Sequence, residues 1–219
     1  MKNRFIFGMT LLLILSTYQI QDDFKITSIF NIKKILIEDN NIVDERDIIK
    51  KISFIYETNL IFIKREKLQK KLNQIDFIES FEIKKVYPDK IKIKIFEKKP
   101  IAIIQNKKNK SFFTANGGTA KFSYIEKYTK LPIVFGDINS FKIFYNNLNS
   151  INFSIDEIDK FYLFESRRWD LKTIENQIIK LPVKDYKESL KNFLDIKNQV
   201  KFKKYKIFDY RIKDQLILK

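Results

Sequence analysis

Asp209 and Arg211, and further back Arg167 and Arg168, are the side chains whose types and spacing come nearest to a chemistry, and that chemistry is ionic recognition. On an extended segment Asp209 and Arg211 share a face. There they can pair with each other, contributing ~0–1 kcal/mol if exposed. Arg167 and Arg168 are neighbours, so a strand sends them to opposite faces and leaves at most one on any given surface. Nothing comparable points to catalysis. The chain has no histidine and no cysteine. That removes the commonest general base, the thiolate nucleophile and the commonest metal ligands. The acidic residues show no metal-loop spacing and no paired-carboxylate phrase. Asn116-Gly117-Gly118 is glycine-rich, but no P-loop lysine follows it, so the expectation there is a hairpin turn. No catalytic residue, metal ligand or cofactor is assigned.

The elements that position these charges must come from a chain of 219 residues, long enough for one or two domains and, at 44% hydrophobic, too apolar for disorder. The formal net charge is +16. Lysine, isoleucine, asparagine and phenylalanine are inflated together, as an AT-rich genome would produce, so diffuse lysine reads as a solvated face. No arginine-rich tract, zinc finger or aromatic RNA-binding strand is present, and no nucleic-acid partner is expected.

Lys2 and Arg4 precede an apolar run from Phe5 to Ile20, and Asp22 and Asp23 follow it. Positive before and acidic after is the pattern of one membrane-crossing helix with a cytoplasmic N-terminus. The run is short: as a helix it spans ~24 Å at 1.5 Å per residue, against a hydrocarbon core of about 30 Å. A cleaved signal peptide is the competing reading, but no small-x-small cleavage site follows the run. The expectation is an uncleaved anchor over residues 5–20, a cytoplasmic stub at 1–4 and a linker at 21–29, with everything beyond exported.

A mixed domain then reads out of the periodicity. A strand is expected over 32–38, with Ile35 and Ile37 alternating against Lys34 and Glu38. Asp44 is placed to cap a helix from Glu45 that carries Ile48, Ile49 and Ile52 on one face. A second helix over 64–74 carries Leu68, Leu72 and Ile75. Residues 77–86 alternate again and run into Tyr87-Pro88-Asp89, turn chemistry. Lys90-Ile91-Lys92-Ile93-Lys94-Ile95 then alternates with period two, which predicts buried Ile91, Ile93 and Ile95 with Lys92 and Lys94 exposed. Pro100, unable to donate to a ladder, is expected to close that strand.

This β-α-α-β-β order, ending in aromatic-Pro-Asp, an alternating strand and Glu97-Lys98-Lys99-Pro100-Ile101-Ala102, resembles the POTRA module of the bacterial cell-division family FtsQ/DivIB. Asn59-Leu60, and Ile75-Asp76-Phe77-Ile78-Glu79-Ser80-Phe81, match its phrases. The second half resembles the β domain of the same family through Leu131-Pro132-Ile133-Val134-Phe135-Gly136, Arg167-Arg168-Trp169-Asp170-Leu171, Ile178-Ile179-Lys180-Leu181-Pro182 and the terminal Phe208–Lys219 phrase. Two departures stand out: only four residues precede the apolar run, and Gln177 replaces a hairpin glycine, making Asn176-Gln177 a poorer type I′ turn.

The resemblance implies an α+β protein: an N-terminal transmembrane anchor, a βααββ POTRA domain over 30–99, and a mostly antiparallel β domain with flanking helices over 100–219. Helices in the second domain are expected near 138–150 and 184–197, from apolar periodicity, and Trp169 is expected in the core. The implied function is a non-catalytic scaffold, single-pass in the bacterial inner membrane at the division site with periplasmic domains. Its β domain binds FtsB/FtsL-like coiled-coil proteins, alongside other divisome proteins. The implied contacts are Arg168, Arg211, Ile212, Gln215, Leu216, Ile217 and Leu218. The physical basis is an open edge strand that accepts another strand, ringed by Lys201, Lys203, Lys204, Lys206 and Lys213, which favour an acidic partner. Arg211→Glu is then expected to weaken binding without cost to folding, and proline at Ile217 probes the edge if that N–H faces outward. Two other classes compete. A POTRA-bearing assembly or secretion factor would show repeated modules or a barrel, and neither is visible. A hydrolase would need a nucleophile and base constellation that the missing histidine and cysteine make hard to build.

Overall fold

The structure, a computed structural model, describes residues 2–17, 29–107 and 109–219. Its fold is mixed α+β, in two compact units, 1–97 and 98–219. Helix α1 spans Lys2–Thr17, 16 residues, with Phe5, Phe7 and Leu12 exposed. Among the described residues no helix is long and apolar enough to cross a membrane. Residues 18–20 of the expected anchor, the acidic pair Asp22/Asp23 and the linker up to 28 lie outside the described residues.

The rest of the first unit follows its periodicities. Strand β1 (Lys34–Glu38), helices α2 (Glu45–Ile52) and α3 (Arg65–Leu72), and strands β2 (Ile78–Val86) and β3 (Lys90–Glu97) occur in the expected order. Asp44 caps α2, its carboxylate accepting from the Arg46 amide at 2.8 Å. The strands lie in the order β1-β3-β2, β3 pairing parallel with β1 and antiparallel with β2. Ile91, Ile93 and Ile95 are buried with Ile35, Ile48, Ile52, Leu68 and Leu72, as the apolar alternation requires. Lys92 and Lys94 point to the other, solvated side and pair with Glu38 at 2.6 Å and Asp39 at 3.2 Å. The strand closes at Glu97, not at Pro100. Glu97 Oε1 takes the amides of Asn41, Ile42 and Val43, and Pro100 instead begins the next strand, the position in a strand where its missing donor matters least.

The second unit is built on one nine-stranded sheet. Its strands are β4 (Pro100–Asn106), β5 (Asn109–Thr114), β6 (Thr119–Lys121), β7 (Ile133–Phe135), β8 (Ile158–Leu163), β9 (Trp169–Thr173), β10 (Ile178–Lys180), β11 (Ile207–Asp209) and β12 (Ile217–Leu218). Helices α4 (Ile138–Asn149) and α5 (Tyr186–Ile196) fall where apolar periodicity puts them. The order is β12-β11-β10-β9-β8-β7-β4-β5-β6. The sheet is more mixed than expected: β4–β7, β7–β8 and β10–β11 are parallel. Two of these parallel pairs are bridged by helices, β7-α4-β8 and β10-α5-β11, because a parallel connection needs a crossover where an antiparallel one needs only a turn.

One face of this sheet carries the core. Val134, Phe161, Trp169, Leu171, Ile179 and Phe208 pack with Phe141, Phe144 and Leu148 of α4 and Leu190 and Phe193 of α5. Trp169 stacks on Phe144 with ring centroids 4.7 Å apart and meets Phe141 edge-on at 6.0 Å. Gly136 leaves room for it: a Cβ there would sit 3.0 Å from Leu163 Cβ and 3.3 Å from Trp169 Cη2. Asn116-Gly117-Gly118 forms the β5–β6 turn, with Gly117 at φ 77°. In the β9–β10 hairpin only Asn176 takes a positive φ, 62°. Gln177 is buried instead, its Nε2 donating to the Tyr205 carbonyl at 3.3 Å, so it fastens the hairpin to the 200–206 segment rather than filling a glycine position.

Candidate partner-binding edge

Alternation fixes which face each charge occupies. Trp169 and Leu171 point into the core, so Asp170 between them points to the face opposite α4 and α5. Phe208 and Ile179 do the same for Asp209 and Lys180. The register aligns these three polar residues across adjacent strands: Asp170 lies opposite Lys180, and Lys180 opposite Asp209. Ile217 of β12 continues the row opposite Asp209.

An arginine flanks each carboxylate. Arg168 Nε donates to Asp170 Oδ1 at 3.1 Å, and its guanidinium lies 4.4 Å from the Phe164 ring centroid. Arg211 grips Asp209 with two bonds, Nε to Oδ1 at 2.8 Å and an Nη to Oδ2 at 2.6 Å. The result is a strip of three cations and two carboxylates running toward the sheet edge. Sequence reasoning missed Lys180. Its side chain is half-buried between two acids, a position visible only once β10 is paired on both sides.

The two carboxylates are held differently. Hydrogen bonds from Arg211 keep Asp209 below the ordinary carboxylate range. Burial pushes Asp170 above it, with Arg168, Lys180 and Arg211 pulling back. The signs therefore oppose. Asp209 stabilises the fold above its unfolded value, near pH 4, and that support is lost as pH falls through its lower folded value. Asp170 pays for ionising in the folded state, so its support belongs to the acid side and is lost as pH rises through its folded value. At neutral pH Asp209→Asn is expected to lower the thermal midpoint. Asp170→Asn, which keeps an acceptor for Arg168, is expected to leave it unchanged or higher. Calorimetry of both variants checks this, and a loss in Asp170→Asn equal to that in Asp209→Asn would contradict it.

The pairing changes two expectations. Arg167 is not on a strand: it turns the β8–β9 hairpin at φ 64° and sends its guanidinium to Ser140 Oγ at 3.0 Å and toward Asp137, the α4 cap, at 3.6 Å. Arg211 is no freely solvated arginine either. Its partner Asp209 is almost fully buried, so the exposed-pair figure does not apply, and charge reversal there carries a folding cost.

β12 is one of the two outer strands of the sheet among the described residues, β6 being the other. Ile207 and Lys219 exchange both backbone bonds, at 2.9 and 3.1 Å. Antiparallel alternation then turns the N–H and C=O of Leu218 away from β11, toward the open side, and returns Ile217 to the ladder. Leu218, not Ile217, is the residue whose amide a further strand would meet. The side chain of Leu218 packs against the core, while Ile217 is exposed on the opposite face.

The connection from β11 to β12 carries the remaining expected contacts. Ile212 and Gln215 are exposed and Leu216 is half-buried. With Tyr210, Arg211 and the first turns of α5 they border an open concavity of about 500 Å³. Tyr210 is buried in its wall and donates its hydroxyl to Asn192 Oδ1 at 3.0 Å. Lys201, Lys203, Lys204, Lys206 and Lys213 are all exposed.

Comparison with known proteins gives two matching family models. Residues 30–98 match the POTRA domain of FtsQ type, and residues 102–211 match the C-terminal domain of the cell division protein FtsQ/DivIB. The chain is similar to the cell division protein FtsQ of Rickettsia bellii, 28% identical over 191 residues, covering 85% of this chain and 71% of that one. It is also similar to FtsQ of Rhizobium meliloti, 23% identical over 158 residues, covering 71% of this chain and 51% of that one. Among solved structures, the major extracytoplasmic domain of the trans isomer of DivIB from Geobacillus stearothermophilus aligns with a TM-score of 0.35 and 10% identity, over 48% of this chain and 96% of that chain.

Proposed function

Since this chain belongs to the FtsQ/DivIB family of cell division proteins, we propose that it acts as a non-catalytic scaffold, anchored in the bacterial inner membrane by residues 5–20, with periplasmic domains over 30–99 and 100–219. Its task is to bring septal cell-wall synthesis proteins together by binding FtsB/FtsL-like coiled-coil partners at the β12 edge. The observation that carries this reading is the pairing pattern of β12, which leaves the Leu218 amide and carbonyl facing the open side beside a cationic strip. An acidic segment adding as a strand gains backbone bonds from the edge and charge-assisted bonds from Arg211, while the stretch of partner flanking that strand crosses the face of β11 and β10 to meet Lys180 and Arg168.

Proline at Leu218 removes the outward donor and leaves the bonds to β11 in place. It is expected to weaken binding of the partner's periplasmic segment at least about tenfold, one to two charge-free backbone bonds' worth, with the far-ultraviolet circular dichroism of the free chain unchanged. Unchanged affinity in a folded Leu218→Pro chain would move the site off this edge. Proline at Ile217 is not an equivalent probe, because that residue belongs to the ladder with β11.

A further inference from the structure

The first unit has a surface that the partner-binding reading does not use. Three segments meet where the chain enters this unit after the apolar helix. Leu60 N donates to the Phe30 carbonyl at 2.8 Å, Lys33 N to the Asp89 carbonyl at 2.8 Å, and Lys85 Nζ to the Ile61 carbonyl at 2.9 Å. The Phe30 and Tyr87 rings meet edge-on at 5.9 Å. Residues 29–34, 59–62 and 85–90 therefore form one continuous patch.

Its composition is unusual for a water-facing surface. Phe62 is 73% exposed, Tyr87 58% and Ile61 46%. Around them stand Lys33, Lys34, Lys85 and Lys90, against the acidic Glu57 and Asp89. Large exposed apolar side chains ringed by polar groups mark an interaction surface. Aromatic rings set among lysines are the composition that settles at the headgroup level of a bilayer, where rings enter the interface and ammonium groups meet anionic headgroups. Chain length agrees. Residues 18–28 separate the helix from the patch, a reach of at most roughly 40 Å at 3.3–3.6 Å per residue.

We infer that this end of the first unit docks on the outer surface of the membrane through anionic lipid headgroups, holding the domain against the bilayer. The inference rests on the anchored reading above. A bilayer surface, rather than a protein, is the occupant the observations favour: the patch lies within tether length of the apolar helix, and its net charge complements anionic lipid.

The test uses the full chain reconstituted into vesicles of phosphatidylcholine alone or with roughly one-third phosphatidylglycerol, a composition that makes the surface potential markedly negative. Amine acetylation, read by mass spectrometry, reports each lysine. Lys33, Lys34 and Lys90 are expected to label several-fold more slowly in the anionic vesicles, and Lys203 and Lys213 at the same rate in both. High salt, or the double substitution Phe62→Ser and Tyr87→Ser at exposed positions, should remove the difference. A chain that floats with the vesicles yet labels equally in both compositions would overturn the docking and leave the anchor standing. A chain that stays in solution with either vesicle would overturn the anchor and the docking together.

Discussion

Arg211→Glu is expected to cut affinity for an acidic FtsB-like segment at least about 30-fold, the lower end of the 2–5 kcal/mol lost when one partner of a hydrogen-bonded charge pair is removed. It should also lower the stability of the free domain by about 1–3 kcal/mol. Both effects have one origin. The guanidinium makes a two-bond grip on Asp209, whose carboxylate is almost fully buried and whose neighbour across β10 is Asp170 by way of Lys180. Reversing the charge leaves Asp209 without its donor and adds a third carboxylate to the strip. The folding cost is kept moderate because Arg211 itself is partly exposed and water can enter. Replacing both partners, Asp209→Asn with Arg211→Gln, separates the two effects. That chain should recover most of the stability and still bind weakly. Isothermal titration with the partner segment and urea denaturation of the free chain read the two numbers. A stable Arg211→Glu chain with undiminished affinity would show that the strip takes no part in recognition.

Trp169→Ala is expected to cost the second unit about 3–5 kcal/mol, the range for deleting a large aromatic from a packed core. Trp169 is the side chain on which α4 and the sheet close: it stacks on Phe144, meets Phe141, and lies against Gly136, where an added Cβ would crowd it. Its removal leaves a cavity between Phe144 and the sheet. The same residue begins β9 next to Arg168, so a collapsed core should also loosen the Arg168–Asp170 pair and lower partner affinity indirectly. Phe at this position keeps most of the volume and should keep most of both. Denaturant midpoints for the two variants check this, and a loss in Trp169→Ala below about 1 kcal/mol would mean the site collapses around the gap.

What could be read from the sequence was local. Period-two isoleucines gave β3 and its buried face, and the Asp44 cap and the 3.6-residue spacing gave α2 and α3. Apolar periodicity also placed α4 and α5, and Trp169 proved to be core. The non-local pairings were not legible. β6, β7, β10 and β11 are three residues each, too short for alternation to declare a strand or its direction. That is why the parallel pairs went unseen, and with them Lys180, whose place depends on β10 lying between β9 and β11. Arg167 escapes strand alternation for a related reason. It takes a positive φ, a cost a non-glycine residue bears here while its side chain braces the α4 cap through Ser140 and Asp137. At Ile217 the sequence could place a strand but not its phase, and the phase decides which amide faces outward.

The most direct test is amide hydrogen exchange at Leu218 in the chain with and without the partner's periplasmic segment. The pairing pattern predicts that the Leu218 amide exchanges rapidly in the free chain, while Ile217 and Lys219 are protected by β11. Binding should then slow Leu218 by at least about tenfold, as an added backbone hydrogen bond would. A chain saturated with partner, in which Leu218 still exchanges at its free rate, would contradict strand addition at this edge.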